Sequence, residues 1–285
     1  MKSMKSRSLA TGVGTRKPRS SPALGMTDWE IGRFELNLLV CAVALVITIS
    51  LSAQAPVAVP LPGEPHHHLV FENEYVRVFR VSVAAHESTL LHQHDVPYLY
   101  VSLGPADVIN AVQDKPEVHL LMADGQLGYS PGHFAHVARN LSDAAFNNVT
   151  IELLHPQGEV HNLCEKIVEG ELGECHPFQN RSMSGKPYFR SEEMAVFFGT
   201  LKPKAELTTI PNLDHLVVAM DQAEIEVSFT DSRRRPVPDQ PTTRLSPSVM
   251  LWVPGNRIET IRNLRAQASS YMLVSFKDSA VNGKR

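Results

Sequence analysis

A duplication constrains this chain more than any other feature of its sequence. Tyr98–Asn110 lines up with His215–Val227 at a spacing of 117 residues, and Pro131–Asn140 lines up with Pro254–Asn263 at 123. The six extra residues fall in the Arg- and Pro-rich stretch between Thr230 and Thr243, where a surface connection tolerates insertion. The fold is therefore expected to be one small architecture built twice, each copy with its own core.

Within a copy the pattern is that of short strands. Val76, Val78, Val81 and Val83 flank Arg77, Arg80 and Ser82. Tyr98 to Leu103 and Ala106 to Val112 are joined by a tight Gly104-Pro105 turn, and Glu117 to Met122 and Val149 to Leu154 follow. Twenty prolines and sixteen glycines punctuate these runs, and no helical period covers them. Antiparallel strands without covering helices close on themselves or pack as a sandwich, so each copy is expected to be an all-β, jelly-roll barrel.

Three histidines stand out against this background. In a strand, residues i and i+2 share a face, so His92 and His94 would aim two imidazoles into one interior, with His136 on a facing strand. The surroundings of these residues resemble the two motifs of the cupin superfamily. His92-Gln93-His94 with the closing Gly104 matches the first, and Gly125, Pro131, Gly132, His136 and Asn140 match the second, with Gly132 one place early. The resemblance covers residues 69–155 and implies that His92, His94 and His136 bind one divalent transition metal (Fe, Mn, Ni, Cu or Zn), whose identity three imidazoles do not specify.

Two departures from the motif bear on chemistry. His86 stands where the opening Gly is expected. No acidic residue occupies Pro97-Tyr98-Leu99, where the fourth ligand, a Glu, belongs, and strand alternation turns Asp95 away from the site. Three neutral imidazoles leave positions open to water or substrate and leave the ion more positive, which favours anionic substrates. Tyr98 and His133 are candidate pocket residues, and Glu87 is a further candidate for proton transfer. His66-His67-His68, after the prolines of a 56–68 linker, reads as solvated.

The second copy, residues 192–279, has lost this site. Glu259 takes the place of His136, and the places of His92 and His94 fall in Thr209-Ile210-Pro211-Asn212. Asp214 and Glu259 are two carboxylates with one expected interior, and Arg257 and Arg262 stand nearby to neutralise Glu259. The preferred reading is a degenerate barrel kept for stability or pairing.

Residues 1–55 differ from the rest. A basic extension precedes an apolar run over 36–53 with small residues after it, the layout of a secretory signal, or else of an uncleaved membrane tether. Seven Lys/Arg and three Asp/Glu lie in the first 53 residues, leaving 20 basic against 27 acidic, a net charge near −7. Without a basic stripe, nucleic acid is excluded as the expected partner, and Arg233-Arg234-Arg235 reads as a loop. Cys164 and Cys175, in the connecting segment 156–191, read as a local disulfide, consistent with a periplasmic or secreted protein.

Together these features describe an exported bicupin with a metal centre in its first barrel and a small-molecule ligand. Its barrels are expected to pair within one chain, as a monomer or a homodimer. The resemblance implies a metalloenzyme, either oxygenase-like, as in the three-histidine thiol dioxygenases, or a Lewis-acid isomerase or lyase. A non-catalytic small-molecule or sugar-binding cupin is the alternative.

Overall fold

The computed structural model describes residues 57–162, 173–175 and 187–277, apart from 221, 232, 234, 238–240 and 256. The expected export segment therefore lies outside the described residues. So does Cys164, and with it the expected disulfide; Cys175 lies on a strand.

The first half runs β1 (Val59–Pro60), β2 (His67–Glu72), β3 (Val76–Val83), β4 (His92–His94), β5 (Tyr98–Ser102), β6 (Ala106–Val112), β7 (Val118–Met122), β8 (Leu127–Ser130), β9 (Phe134–Asn140) and β10 (Phe146–Leu153). β11 (His161–Asn162) and β12 (Gly173–Cys175) belong to the connecting stretch. The second half runs β13 (Phe189–Arg190), β14 (Met194–Leu201), β15 (Glu206–Thr209), β16 (His215–Ala219), β17 (Ile225–Thr230), β18 (Thr243–Leu245), β19 (Met250–Val253), β20 (Ile258–Asn263) and β21 (Ser269–Phe276).

Strand order makes the duplication explicit. One sheet of the first half contains β4-β9-β6-β7 and the other contains β8-β5-β10-β3; the second half repeats these as β15-β20-β17-β18 and β19-β16-β21-β14. Each half is a jelly-roll barrel of two facing antiparallel sheets. The register also repeats, for Thr209 lies opposite Glu259 as His92 lies opposite His136.

Burial explains how the barrels join. Every residue of β5 and of β16 is buried, which a barrel strand with one solvated face would not show. Tyr98 and Tyr100 pack with the interior of the first barrel, while the alternating Leu99 and Val101 pack outward against Leu216, Val218, Met272 and Val274 of the second. The larger sheets of the two barrels thus share one apolar layer. Phe71 and Tyr75 extend this layer by stacking on Trp252, with ring centroids 5.9 and 5.5 Å apart.

One asparagine holds the same corner in both barrels. Asn140 Nδ2 donates to the carbonyls of Val83, Ala84 and Ala144, and its Oδ1 accepts from Ser142 N–H. Asn263 Nδ2 donates to Leu201, Lys202 and Gln267, and its Oδ1 accepts from Arg265 N–H. The network survives where no metal motif does, so the motif asparagine is a structural staple and not a ligand.

The linker expectation needs correction. Residues 59–72 are built into the first barrel, with β1 pairing in parallel with β4 and β2 pairing with β3. Leu61, Glu64 and His67 are all buried, although Pro60, Pro62 and Pro65 suggested a solvated tether.

Candidate metal centre

β4 is only three residues long, and both of its histidines are buried with their rings on one face. His136, directly opposite His92 on β9, brings its ring centroid to 4.4 Å from that of His92 and 5.1 Å from that of His94. The fourth ring is His67, whose centroid lies 4.7 Å from that of His92. Nitrogens of His67, His92 and His94 all lie within 4.8 Å of one another, and His136 Nε2 lies 3.2 Å from His94 Nε2.

Outer partners fix how these rings are turned. His92 Nδ1 donates to the Leu90 carbonyl at 2.9 Å, His136 Nδ1 donates to Asn110 Oδ1 at 2.6 Å, and His67 Nδ1 donates to the Glu64 carboxylate at 2.6 Å. A neutral imidazole that donates from Nδ1 carries a lone pair on Nε2, and second-sphere bonds of this kind orient metal-binding histidines. His92 Nε2 is buried without a hydrogen-bond partner, as is His94 Nδ1. A buried polar nitrogen left unpaired costs about 1–3 kcal/mol, so a group that takes up the His92 Nε2 lone pair gains by binding here.

The residues fit a metal ion. Two nitrogens held at about 2.0–2.1 Å by one tetrahedral ion stand about 3.3–3.4 Å apart, close to the 3.2 Å between His94 and His136. Burial, followed by repulsion from neighbouring imidazoles, holds His94 and His136 well below the usual histidine range and lowers His92 to about 4. Neutral rings are the form that ligates.

These shifts give an expected pH response for metal-free protein. Below pH 6.5 the unfolded chain protonates His92 while the folded chain does not, so the unfolded state binds more protons and stability falls as pH drops from 6.5 towards 4. For His92 alone the loss approaches about 3 kcal/mol. His94 and His136 act in the same direction. Urea denaturation of chelator-treated protein at pH 7 and pH 5 measures the effect, and equal midpoints would show that the rings are not buried as neutral groups.

A cavity of about 70 Å³ opens beside the rings. Val81, Val83, Val108, Met122 and Phe146 supply its apolar wall, and Tyr98, Tyr100, Asn110, Asn148 and Thr150 its polar one. Among the described residues lining it, none is Lys, Arg, Asp or Glu.

Of the two residues expected at the pocket, Tyr98 lines the cavity and stacks on His94 with ring centroids 4.1 Å apart, in the place where the motif has its Glu. His133 is exposed on the turn before β9, at φ 63°, and is not among the lining residues. Glu87 is also exposed and sits beside His66 outside the cavity. Asp95 is exposed, as alternation requires. His86 adopts φ 60°, the conformation that the motif glycine would supply.

Sequence reasoning missed His67 and Glu64. A His run behind a Pro-rich stretch reads as solvent-exposed, and only the Glu64-x-x-His67 spacing hinted otherwise. A 3-10 turn at Leu61–Gly63, followed by a hydrogen bond from His67 N–H to the Glu64 carbonyl, brings the carboxylate back onto the ring. Burial alone would raise the Glu64 carboxyl, but hydrogen bonds from His67, His66 and the Leu90 N–H outweigh it and hold the group ionised, well below the usual carboxylate range. The first barrel therefore has a buried acidic residue, hydrogen-bonded to the outer nitrogen of a histidine.

In the second barrel Glu259 meets His215 at 3.0 Å, both buried, instead of facing Asp214, which accepts from Gly255 N–H. Arg262 pairs with Glu206 rather than Glu259. The less favoured alternative of two facing carboxylates is not what forms, because the carboxylate that replaces His136 pairs with an imidazole.

No family model matches the sequence, and no curated protein matches it at the sequence level. Solved structures do match by fold. AerE from Microcystis aeruginosa is 9% identical, with 75% of this chain and 99% of that one covered and a TM-score of 0.52. Protein Ylba from E. coli is 10% identical, covering 80% and 89%, with a TM-score of 0.52. A variant of salicylate 1,2-dioxygenase from Pseudoaminobacter salicylatoxidans is 13% identical, covering 73% and 75%, with a TM-score of 0.50. At these identities the similarities show a shared fold, that of the two jelly-roll barrels described above.

Proposed function

We propose that this chain is an exported small-molecule metalloenzyme whose first barrel holds one divalent transition metal on His92, His94 and His136. The reading is carried by the buried, unpartnered Nε2 of His92, in a ring that lines the cavity together with His94 and His136, whose own Nε2 atoms lie 3.2 Å apart. A bound ion there would supply Lewis-acid activation or, if redox-active, oxygenase-like chemistry. The chain's own part is to orient the rings through Leu90 and Asn110, to exclude bulk water with the apolar wall, and to present Tyr98, stacked on His94, as the candidate proton-transfer group. Export, and tethering through residues 36–53 if that segment is retained, belong to the proposal on the strength of the sequence alone.

Two measurements test it. Elemental analysis of protein purified from its native compartment should give one transition-metal ion per chain. Azide added to the cobalt(II)-loaded protein should change its visible spectrum in a saturable manner, because an open position accepts an exogenous ligand. Full metal with no response to azide would instead support the binding-protein alternative.

A further inference from the structure

Building on the three-histidine reading, we infer that His67 is a fourth ligand and that Glu64 is its positioning residue, so that the turn leading into β2 completes the centre. Three observations converge on this assignment. His67 is buried beside His92 and His94, with a nitrogen within 4.8 Å of a nitrogen of each. Its Nδ1 is committed to Glu64 at 2.6 Å, which leaves Nε2 as the atom free to ligate. Finally, Tyr98 occupies the place of the motif Glu and offers a ring face, not a carboxylate, to His94.

Glu64 is otherwise hard to account for. It is a carboxylate with 1% exposure, and it accepts from His66 N–H, from the His66 and His67 rings and from Leu90 N–H. The ion pairs in which it takes part among the described residues involve histidines, not Lys or Arg. A buried carboxylate needs a compensating positive charge, and a dication reached through His67 supplies one. The carboxylate–histidine–metal relay also raises the basicity of the ligating nitrogen. Leu90 N–H joins the relay to the segment carrying His92, so Glu64 touches both the turn and the strand that present ligands.

Copper(II) is the probe, since hyperfine splitting in its electron paramagnetic resonance spectrum reports the number of equatorial nitrogens. Wild type should show four, and His67→Ala three, with added imidazole restoring the fourth. Glu64→Gln should weaken copper affinity about 10–100-fold, with no further loss when it is added to His67→Ala. An additive loss in that double variant would overturn the positioning role of Glu64. An unchanged spectrum and affinity in His67→Ala, with metal lost in His92→Ala, would overturn the His67 assignment and leave the three-histidine centre standing. Unchanged binding in both would overturn the centre itself. Should His67→Ala fail to fold, His67→Gln carries the same nitrogen count.

Discussion

His92→Ala and His136→Ala should each purify with less than about a tenth of the metal held by wild type. Structural zinc sites of four protein ligands bind with about 10–16 kcal/mol in all, so one ligand carries about 2.5–4 kcal/mol, or about 10²–10³-fold in affinity. Both side chains have their Nδ1 satisfied by the protein, so each is held with Nε2 as its ligating atom, and alanine removes that atom. The metal-free proteins should behave differently. His92 Nε2 is buried and unpaired, so removing it also removes that penalty and offsets part of the cavity cost. Wild type should therefore gain thermal stability on adding metal while the two variants gain none, since only binding to the folded state shifts Tm. His133→Ala, at the exposed turn, is the control and should retain the full metal complement. Metal content equal to wild type in His92→Ala and His136→Ala would end the proposal that these residues form a centre.

Asn140→Ala should be the most damaging polar substitution outside the centre. It takes this partner from the carbonyls of Val83 and Ala144 and from the Ser142 N–H at a largely buried corner, while the Ala84 carbonyl keeps the Glu87 N–H. At about 1–3 kcal/mol for each group that water cannot reach, a net loss of about 3 kcal/mol is expected, lowering Tm by roughly 6–12 °C. Asn263→Ala removes the matching network and should cost a similar amount. Metal stoichiometry should stay at one in both variants. A stability change below about 0.5 kcal/mol, or selective loss of metal from Asn140→Ala, would show that the residue serves the centre and not the corner.

Much of this architecture was legible in the sequence because it rests on local alternation and on repetition. The valines of β3 alternate by period, and the paired tyrosines of β5 show that they share a face but not that it is the interior one; the register between β4 and β9 follows once His92 and His136 are opposed. What the sequence concealed depended on long-range packing. β5 and β16 are buried on both faces because another barrel lies behind them, and a single copy contains no sign of that. His67 was hidden more deeply, because its neighbours His66, Pro65 and His68 describe a solvated tract. Only the folding of Leu61 and Glu64 against β4 turns one of three consecutive imidazoles inward. Glu259 was visible as a replacement for His136, yet its partner His215 lies 44 residues earlier in the place of Tyr98, and no spacing rule connects them.

The rear barrel keeps the architecture with different chemistry at its centre. Its acid and imidazole pair at 3.0 Å through Glu259 Oε2, while Glu259 Oε1 stays buried without a partner, and the ring of Tyr271 lies so close over Gly199 that a methyl group there would sit 2.2 Å from it. Valine, leucine, isoleucine and phenylalanine side chains pack into the remaining space. Histidines placed at Thr209 and Pro211 would therefore meet the Glu259–His215 pair and this packed cluster. The front barrel, whose cavity opens beside its imidazoles, is the natural target for anyone redesigning what this molecule holds.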